Sequence, residues 1–489
     1  MESGDSAKTP MFNSMVAYAG SRYFRQVSGV LLAVLRPKLL GPTFYGLWTL
    51  FKVIPRYSRF IPLGAREALR FYLPYHRERS EDDRVQTITN TVFVATGFLH
   101  IVVAVVLLMV CLLWGFTKEA KFGLLCMALY LPLEFYVRHV ISILRSEEKF
   151  GLIARYNYFE SILIFVLTIP LLYWLRIYGV FIAVLGTRLI LAIQMFRHGG
   201  LRARPSFNLK TYVEMVRKGF PIMMSDFCVD LIMTSDRIII AVLLGQTSLG
   251  YYGIAIMLLA ILIQLPGTAR EIMEPQVMRD MDEHASESFV NEYLLKPLVN
   301  TAYLMPFMIG PVCLMLPAVL PLVLPKFLPG IVPTQVIALG VYFLALSFVP
   351  RPLIVANGWQ SQVARYLPIV LVVNVGVSAA LIKMGYGILG AALGSAFSFA
   401  LLFFTLLIFV ALKLTVRGDN WWRHIFALVL PFPVMCIVLF ALSGTIPNLI
   451  ANDFVSASVQ SVVFICLMAG FHLVSSHRFD LLKNLALWR

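Results

Sequence analysis

Five cations sit near the middle of the first two long apolar stretches of this 489-residue chain. Arg22 and Arg25 lie in the first, and Lys52, Arg56 and Arg59 in the second. A cation at bilayer depth costs from about 3 to more than 10 kcal/mol, according to how it is solvated. The first two are spaced i, i+3 and the other three i, i+4, i+7, so each set shares one face of a helix. Guanidinium groups make charge-assisted, often bidentate bonds to phosphate, and these strengthen away from bulk water. The chemistry expected of the pattern is the binding of an anionic headgroup in a hydrated, positively lined chamber. Ion pairing is the competing role. However, Arg138 and Arg188 add two further cations to the first six apolar stretches, and the only intramembrane acids there are Glu134 and Glu160.

Other charged positions invite separate readings. Asp226, Asp230 and Arg237 fall within about 40° of one face of the seventh stretch, while Asp236 faces elsewhere and is expected to be structural. Two carboxylates one turn apart in low dielectric repel, so one is expected to hold a proton. That would suit H+ coupling, or Na+ coordination by the pair; simple neutralisation by Arg237 is the alternative. Glu134 and Arg138, four residues apart, are expected to pair. Glu160 and Arg188 are a second expected pair and, with Arg351 and Arg365, are candidate cavity charges. The last two flank helices ten and eleven at the cytoplasmic end, where lipid phosphates or an incoming pyrophosphate could meet them. His100 stands alone on the third stretch and is expected to be a hydrogen-bonded interior residue. The segment 66–84 mixes Arg with acids and reads as a solvated surface helix and turn. HExxH, GxSxG and P-loop patterns are missing from the sequence, and its six cysteines are scattered through apolar stretches. No catalytic residue, metal site, disulfide framework or cofactor is therefore expected.

The elements that must position these residues are membrane helices. Fifty-nine per cent of residues are hydrophobic and 14 per cent charged, which identifies an all-α polytopic membrane protein. Windows of about 20 apolar residues predict about 14 transmembrane helices. They fall near 12–35, 43–64, 90–115, 121–145, 156–176, 178–196, 219–243, 248–269, 297–324, 331–357, 364–382, 386–412, 424–446 and 456–476. Pro306, Pro311, Pro317 and Pro321 are expected to kink the ninth. No cleavable signal peptide is expected, because the polar N-terminus runs straight into a span. Arg66, Arg70, Arg77, Arg79 and Arg84, then Arg197, Arg202, Arg204, Lys210, Arg217 and Lys218, crowd the connections on one side. The other side has only Arg36, Lys38, Lys118, Lys121, Arg176, Lys326 and Lys383. This asymmetry places both termini in the cytoplasm. The net charge of +15 is thus read as a membrane-orientation signal, and no nucleic-acid partner is expected.

A segment of the chain repeats. Leu39-Leu40-Gly41, Thr43 and Gly46 recur 204 residues later as Leu243-Leu244-Gly245, Thr247 and Gly250. Pro62 and Ala65-Arg66-Glu67 recur as Pro266 and Ala269-Arg270-Glu271. Tyr178-Gly179, Ala183 and Leu185-Gly186 recur as Tyr386-Gly387, Ala391 and Leu393-Gly394. Six helices separate equivalent positions, so the repeats are parallel. The expected organisation is two six-helix lobes around a central cavity plus two C-terminal helices. The ranges are a cytoplasmic tail over 1–11, an N-lobe over 12–196, a basic linker over 197–218, a C-lobe over 219–412 and an appendage with the C-tail over 413–489. The Leu-Leu-Gly element is read as a tight turn. The Pro-x-x-Ala-Arg-Glu element is read as the cytoplasmic end of helices two and eight, with its Arg snorkelling to headgroups.

Leu39–Leu50 (LLGPTFYGLWTL), Asp236–Leu258 (DRIIIAVLLGQTSLGYYGIAIML) and Tyr386–Ser398 (YGILGAALGSAFS) resemble polysaccharide-biosynthesis transporters of the multidrug/oligosaccharidyl-lipid/polysaccharide superfamily. The resemblance runs from about residue 12 to 412. It implies a flippase that carries an undecaprenyl-pyrophosphate-linked oligosaccharide, such as an O-antigen, capsule or exopolysaccharide unit, to the outer leaflet by alternating access. It implies no enzyme activity, a bacterial inner-membrane location, and contact with membrane lipids and with glycan polymerase or glycosyltransferases. The dense cations of helix two are unusual for the family. A multidrug or metabolite extruder of the same fold is the first alternative, although cationic cargo would want an acidic cavity. A membrane glycan polymerase or glycosyltransferase is the second, although the outer loops are short.

Overall fold

The computed structural model describes residues 8–147, 149–197, 206–280, 287–414, 421–445 and 453–478. Residues 1–7 of the expected N-tail, 198–205 of the basic linker, and 415–420, 446–452 and 479–489 of the last segment lie outside the described residues. The described residues contain helices and turns and no strand. They divide into two compact units, Met1–Phe227 and Cys228–Arg489.

The first unit is built from α1 (Lys8–Phe51), α2 (Val53–Tyr57), α3 (Ala65–Glu78), α4 (Asp82–Leu113), α5 (Lys118–Ser146), α6 (Phe150–Arg197) and the first part of α7 (Leu209–Ile232). At 1.5 Å per residue a straight α6 would be about 70 Å long, more than twice the hydrocarbon thickness of a bilayer. It does not run straight. Arg176 has φ 52°, and a Cβ on Gly179 would lie 1.9 Å from the Leu171 carbonyl oxygen. Residues eight apart touch only if the chain folds back, so α6 makes two traverses. α1 does the same at Gly41, whose φ is 74°: the Arg36 guanidinium lies over the Trp48 ring at 5.3 Å. Two arms each of α1 and α6, with α4 and α5, give six traverses.

The second unit holds the rest of α7, α8 (Ser235–Leu243), α9 (Gly245–Leu262), α10 (Gln264–Arg279), α11 (Glu287–Val290), α12 (Lys296–Val323), α13 (Ile331–Ser347), α14 (Pro350–Ala356), α15 (Gln360–Val363), α16 (Leu367–Leu381), α17 (Gly387–Lys413), α18 (Trp421–Val429), α19 (Pro431–Thr445) and α20 (Asp453–Arg478). The stretch from Gln360 to Lys413 folds back at Gly385 and Gly387, with φ 93° and 55°. A Cβ on Gly394 would meet Ser378 Oγ at 2.2 Å across that hairpin. Among the described residues, ten elements are long and apolar enough to cross a membrane. Three of them fold back, which makes thirteen traverses, and the α7–α8 pair lies between the sixth and the seventh of these. The turn glycine of the duplicated Leu-Leu-Gly element has a positive φ in both copies, 74° at Gly41 and 83° at Gly245. Only glycine holds that conformation without strain.

Two expectations change. The Pro-x-x-Ala-Arg-Glu element does not end helix two; it opens α3. Leu63 and Gly64, with φ 53° and 90°, turn the chain, and Gly64 sits against α7 so tightly that a Cβ on it would lie 2.4 Å from the Gly219 carbonyl carbon. Arg66 therefore does not snorkel: its Nη2 donates to the Arg59 carbonyl at 2.7 Å. The segment 66–84 is helical but not wholly solvated, because Ala65, Ala68, Leu69 and Leu73 bury a face against Ile88, Val92 and Met215. The α12 helix is continuous from Lys296 to Val323 with all four prolines inside it. Pro317 withdraws the N–H that would reach the Cys313 carbonyl, and the Gln335 side-chain amide donates there instead at 2.9 Å.

The last two traverses pack directly on other helices of the second unit. A Cβ on Gly310 of α12 would lie 2.0 Å from the Phe464 ring of α20. The Tyr342 hydroxyl donates to the Leu428 carbonyl at 2.6 Å, tying α13 to α18.

The two kinds of glycine turn can be separated by experiment. Gly41 has open space where a Cβ would go, whereas Gly64 meets the Gly219 backbone. Gly41→Ala is expected to destabilise by the left-handed strain alone, about 1–2 kcal/mol. Gly64→Ala is expected to lower the melting temperature in detergent clearly more, read by thermal unfolding of the purified protein.

Candidate functional site

The charged side chains of the first unit are set at one level by helix length and reversal. On α5, Tyr130, Glu134 and Arg138 are spaced i, i+4, i+8 and so share a face. On α6, Glu160 stands sixteen residues before the Arg176 turn and Arg188 twelve after it. At 1.5 Å per residue they lie about 24 and 18 Å from the turn on opposite arms, so folding brings them level. The same arithmetic on α1 and α2 places Arg25 and Arg56 each about 23–24 Å from Gly41, and Arg22 and Arg59 about 27–29 Å.

Glu134 is the anchor of this layer. It is 1% exposed. One carboxylate oxygen takes Arg138 Nε. The other takes Arg188 Nε at 2.8 Å and the Tyr130 hydroxyl at 2.8 Å. Arg188 Nη2 goes on to Glu160 at 3.0 Å, and its Nε also reaches the Tyr130 hydroxyl oxygen at 3.2 Å. Arg138 Nη2 donates to the Pro55 carbonyl at 3.2 Å, which ties the network to α2. A buried charge is tolerable only with such paired, hydrogen-bonded partners. Both expected pairs are present, and they form one connected chain rather than two. The role of Tyr130 escaped the sequence reading, though its position four residues before Glu134 was a usable signal.

The five cations of the first two traverses occupy this part of the unit. Arg25 Nη1 donates to the Asn157 side-chain oxygen of α6 at 3.3 Å, and Asn157 in turn donates to Ser21 Oγ at 3.1 Å. The partner recorded for Arg25 is thus neutral. Lys52 Nζ lies 5.6 Å from the Tyr45 ring centroid. The Arg59 guanidinium covers the Phe60 ring at 4.5 Å, and Phe60 packs edge-on against Phe227 at 5.0 Å. Arg22 and Arg56 are half-buried. From Gly20 to Phe60 the chain contains no Asp or Glu. The net charge of these two traverses is therefore wholly positive.

The other candidates fare differently. The helix expected to align Asp226, Asp230 and Arg237 is interrupted: α7 ends at Ile232 and α8 begins at Ser235. Arg237 lies on α8, beyond the break. Its backbone N–H donates to Asp236 Oδ1 at 2.7 Å, and its Nε lies 4.0 Å from the same carboxylate. Asp236 also accepts the Tyr252 hydroxyl at 2.7 Å. The break is stitched by Asn374 of α16, which accepts from Ser235 Oγ at 2.9 Å and donates to the Ile232 carbonyl at 3.3 Å. Arg351 on α14 lies over Phe348 at 5.8 Å. Arg365, between α15 and α16, is exposed. His100 is buried, with Nδ1 2.8 Å from the Thr96 carbonyl.

Comparison with known proteins adds an independent line. A family model described as "Polysaccharide biosynthesis protein" matches residues 38–329. A structure of lipid II flippase MurJ in an inward closed conformation aligns with TM-score 0.73 at 14% identity, over 95% of this chain and 100% of that chain. An inward-facing multidrug resistance transporter of the MATE family, in the MOP superfamily, aligns with TM-score 0.60 at 15% identity, over 79% of this chain and 98% of that one. The eukaryotic MATE transporter AtDTX14 aligns with TM-score 0.57 at 13% identity, over 86% and 97%. At such identities the likeness is one of fold. No curated protein matches the sequence.

The Glu134 network makes a graded prediction. Glu134→Gln leaves two guanidinium groups short of their shared carboxylate and is expected to destabilise by about 3–5 kcal/mol. Glu160 has 16% side-chain exposure and binds Arg188 alone, so Glu160→Gln is expected to cost less. Thermal unfolding of the two variants side by side checks the order.

Proposed function

This chain belongs to the polysaccharide biosynthesis protein family, whose model covers more than half of it, and from that membership we propose that it is a flippase for an anionic, lipid-linked oligosaccharide. The cargo is an oligosaccharide on undecaprenyl pyrophosphate, moved from the cytoplasmic to the outer leaflet of a bacterial inner membrane by alternating access. Both termini are cytoplasmic in this reading, in keeping with the side on which Lys and Arg accumulate. The headgroup then passes to the enzymes that polymerise or transfer the glycan.

One observation carries the proposal. In the first six traverses Glu134 and Glu160 bond Arg138 and Arg188, while the first two traverses add Arg22, Arg25, Lys52, Arg56 and Arg59 and no acid. A surplus of positive charge at that depth is expensive unless an anion visits it. Pyrophosphate supplies the anion, with oxygens that match the guanidinium fork. The sugars need no charge, and the prenyl tail stays in lipid. A membrane potential negative inside favours outward movement by about 2.3 kcal/mol per charge per 100 mV. Any further coupling to H+ or Na+ is assigned in this proposal to Asp226, Asp230 and Arg237.

The test is translocation of lipid-linked oligosaccharide in proteoliposomes. A variant with Arg22, Arg25, Lys52, Arg56 and Arg59 all changed to Gln is expected to lose at least ten-fold in rate while keeping its size-exclusion profile. Translocation at the original rate would overturn the proposal.

A further inference from the structure

Arg36 stands apart from the five cations already assigned. It lies five residues before Gly41, about 8 Å from the turn, whereas Arg22 and Arg59 lie about 27–29 Å from it. Its guanidinium covers the Trp48 ring at 5.3 Å. Its Nε is buried and has no hydrogen-bond partner among the described residues. Leaving a buried charged donor unmet is costly. Lys52 approaches from the other arm. Side chains on a helix lean toward its N-terminus, which on this arm is the Gly41 end. In keeping with that, Lys52 Nζ lies over the Tyr45 ring at 5.6 Å, nearly two turns back. Tyr45 and Trp48 are i, i+3 neighbours, and both are buried, at 2% and 5% exposure. Two cations thus converge on adjacent rings in a segment without acids. Cation–π contact with neutral rings offsets part of the repulsion but leaves the Arg36 Nε–H unmet.

We propose that Arg36 and Lys52 form a second anion subsite at the Gly41 end of the first helix pair, for a phosphate-ester oxygen. Resting on the flippase reading above, this is the station that receives the headgroup phosphate after it leaves the level of Arg22, Arg25, Arg56 and Arg59. Lys52 belongs to both levels and hands the anion from one to the other. The aromatic floor excludes water and strengthens the charge-assisted bonds. The same chemistry would also accept an anionic phospholipid headgroup, and the experiment separates the two sources.

The experiment is proteoliposome translocation by Arg36→Gln and Arg36→Lys, each in neutral phosphatidylcholine and in phosphatidylcholine with phosphatidylglycerol. Arg36→Gln is expected to slow translocation at least ten-fold, and Arg36→Lys to return it to within about three-fold of the original. A deficit in both membranes identifies the cargo pyrophosphate as the occupant. A deficit only with phosphatidylglycerol identifies the lipid headgroup. Normal translocation by Arg36→Gln in both, or an Arg36→Lys variant as slow as Arg36→Gln, would overturn the subsite. A variant with Arg22, Arg25, Arg56 and Arg59 changed to Gln leaves Arg36 and Lys52 intact, so failure of the flippase reading shows there separately. Should Arg36→Gln give no folded protein, the unsubstituted protein decides: inorganic pyrophosphate is expected to protect Arg36 from phenylglyoxal, read by peptide mass spectrometry. Equal modification with and without pyrophosphate would overturn the proposal.

Discussion

Charge inside a bilayer must find its partner within the protein, and in the first unit that partner is Glu134. One carboxylate with 1% exposure accepts two guanidinium groups and a phenol. Through them it joins α5 to both arms of α6, and through the Pro55 carbonyl to α2. The cations of the first two traverses are carried on elements that this network holds in place. Arg138 and Arg188 complete the acids, and the positive surplus is carried by α1, α2 and the turn that follows.

The same rule governs the backbone. At two places where a helix gives up an internal hydrogen bond, Pro317 and the break after Ile232, a side chain from a neighbouring helix supplies the replacement. Gln335 serves the carbonyl that Pro317 freed, and Asn374 serves the broken end of α7. At Pro55 the carbonyl accepts from Ser58 Oγ and Arg138 together. These repairs keep irregular elements rigid where a lipid-facing chain could not tolerate them.

A transporter of this kind needs a binding surface that is strong enough to draw the headgroup from water yet divided enough to let it leave. The unit offers positive charge at two levels, one near the Glu134 layer and one near the Gly41 turn. Lys52 spans them because its long side chain leans toward the turn. In the proposed function the anion moves by short steps between these levels, which avoids a single deep well. Trp48, Tyr45 and Phe60 lie in cation–π contact with Arg36, Lys52 and Arg59.

Much of this was legible in the chain. Apolar windows located the traverses. The offset between Gly41 and Gly245 marked equivalent turns, since both need a positive φ that glycine alone adopts freely. The i, i+4 spacing marked Glu134 and Arg138. What the sequence could not decide was set by contacts between distant segments. A helical wheel assumes an unbroken helix over Asp226, Asp230 and Arg237, and the chain is instead interrupted between Ile232 and Ser235. The Ala-Arg-Glu element looked like a helix end because its tertiary partner, the backbone at Gly219, lies 155 residues beyond Gly64. Local pattern thus determined which residues are helical and how much charge the membrane must accept. Only packing decided which cations are consumed by acids, because an ion pair depends on distance in space and not on spacing along the chain.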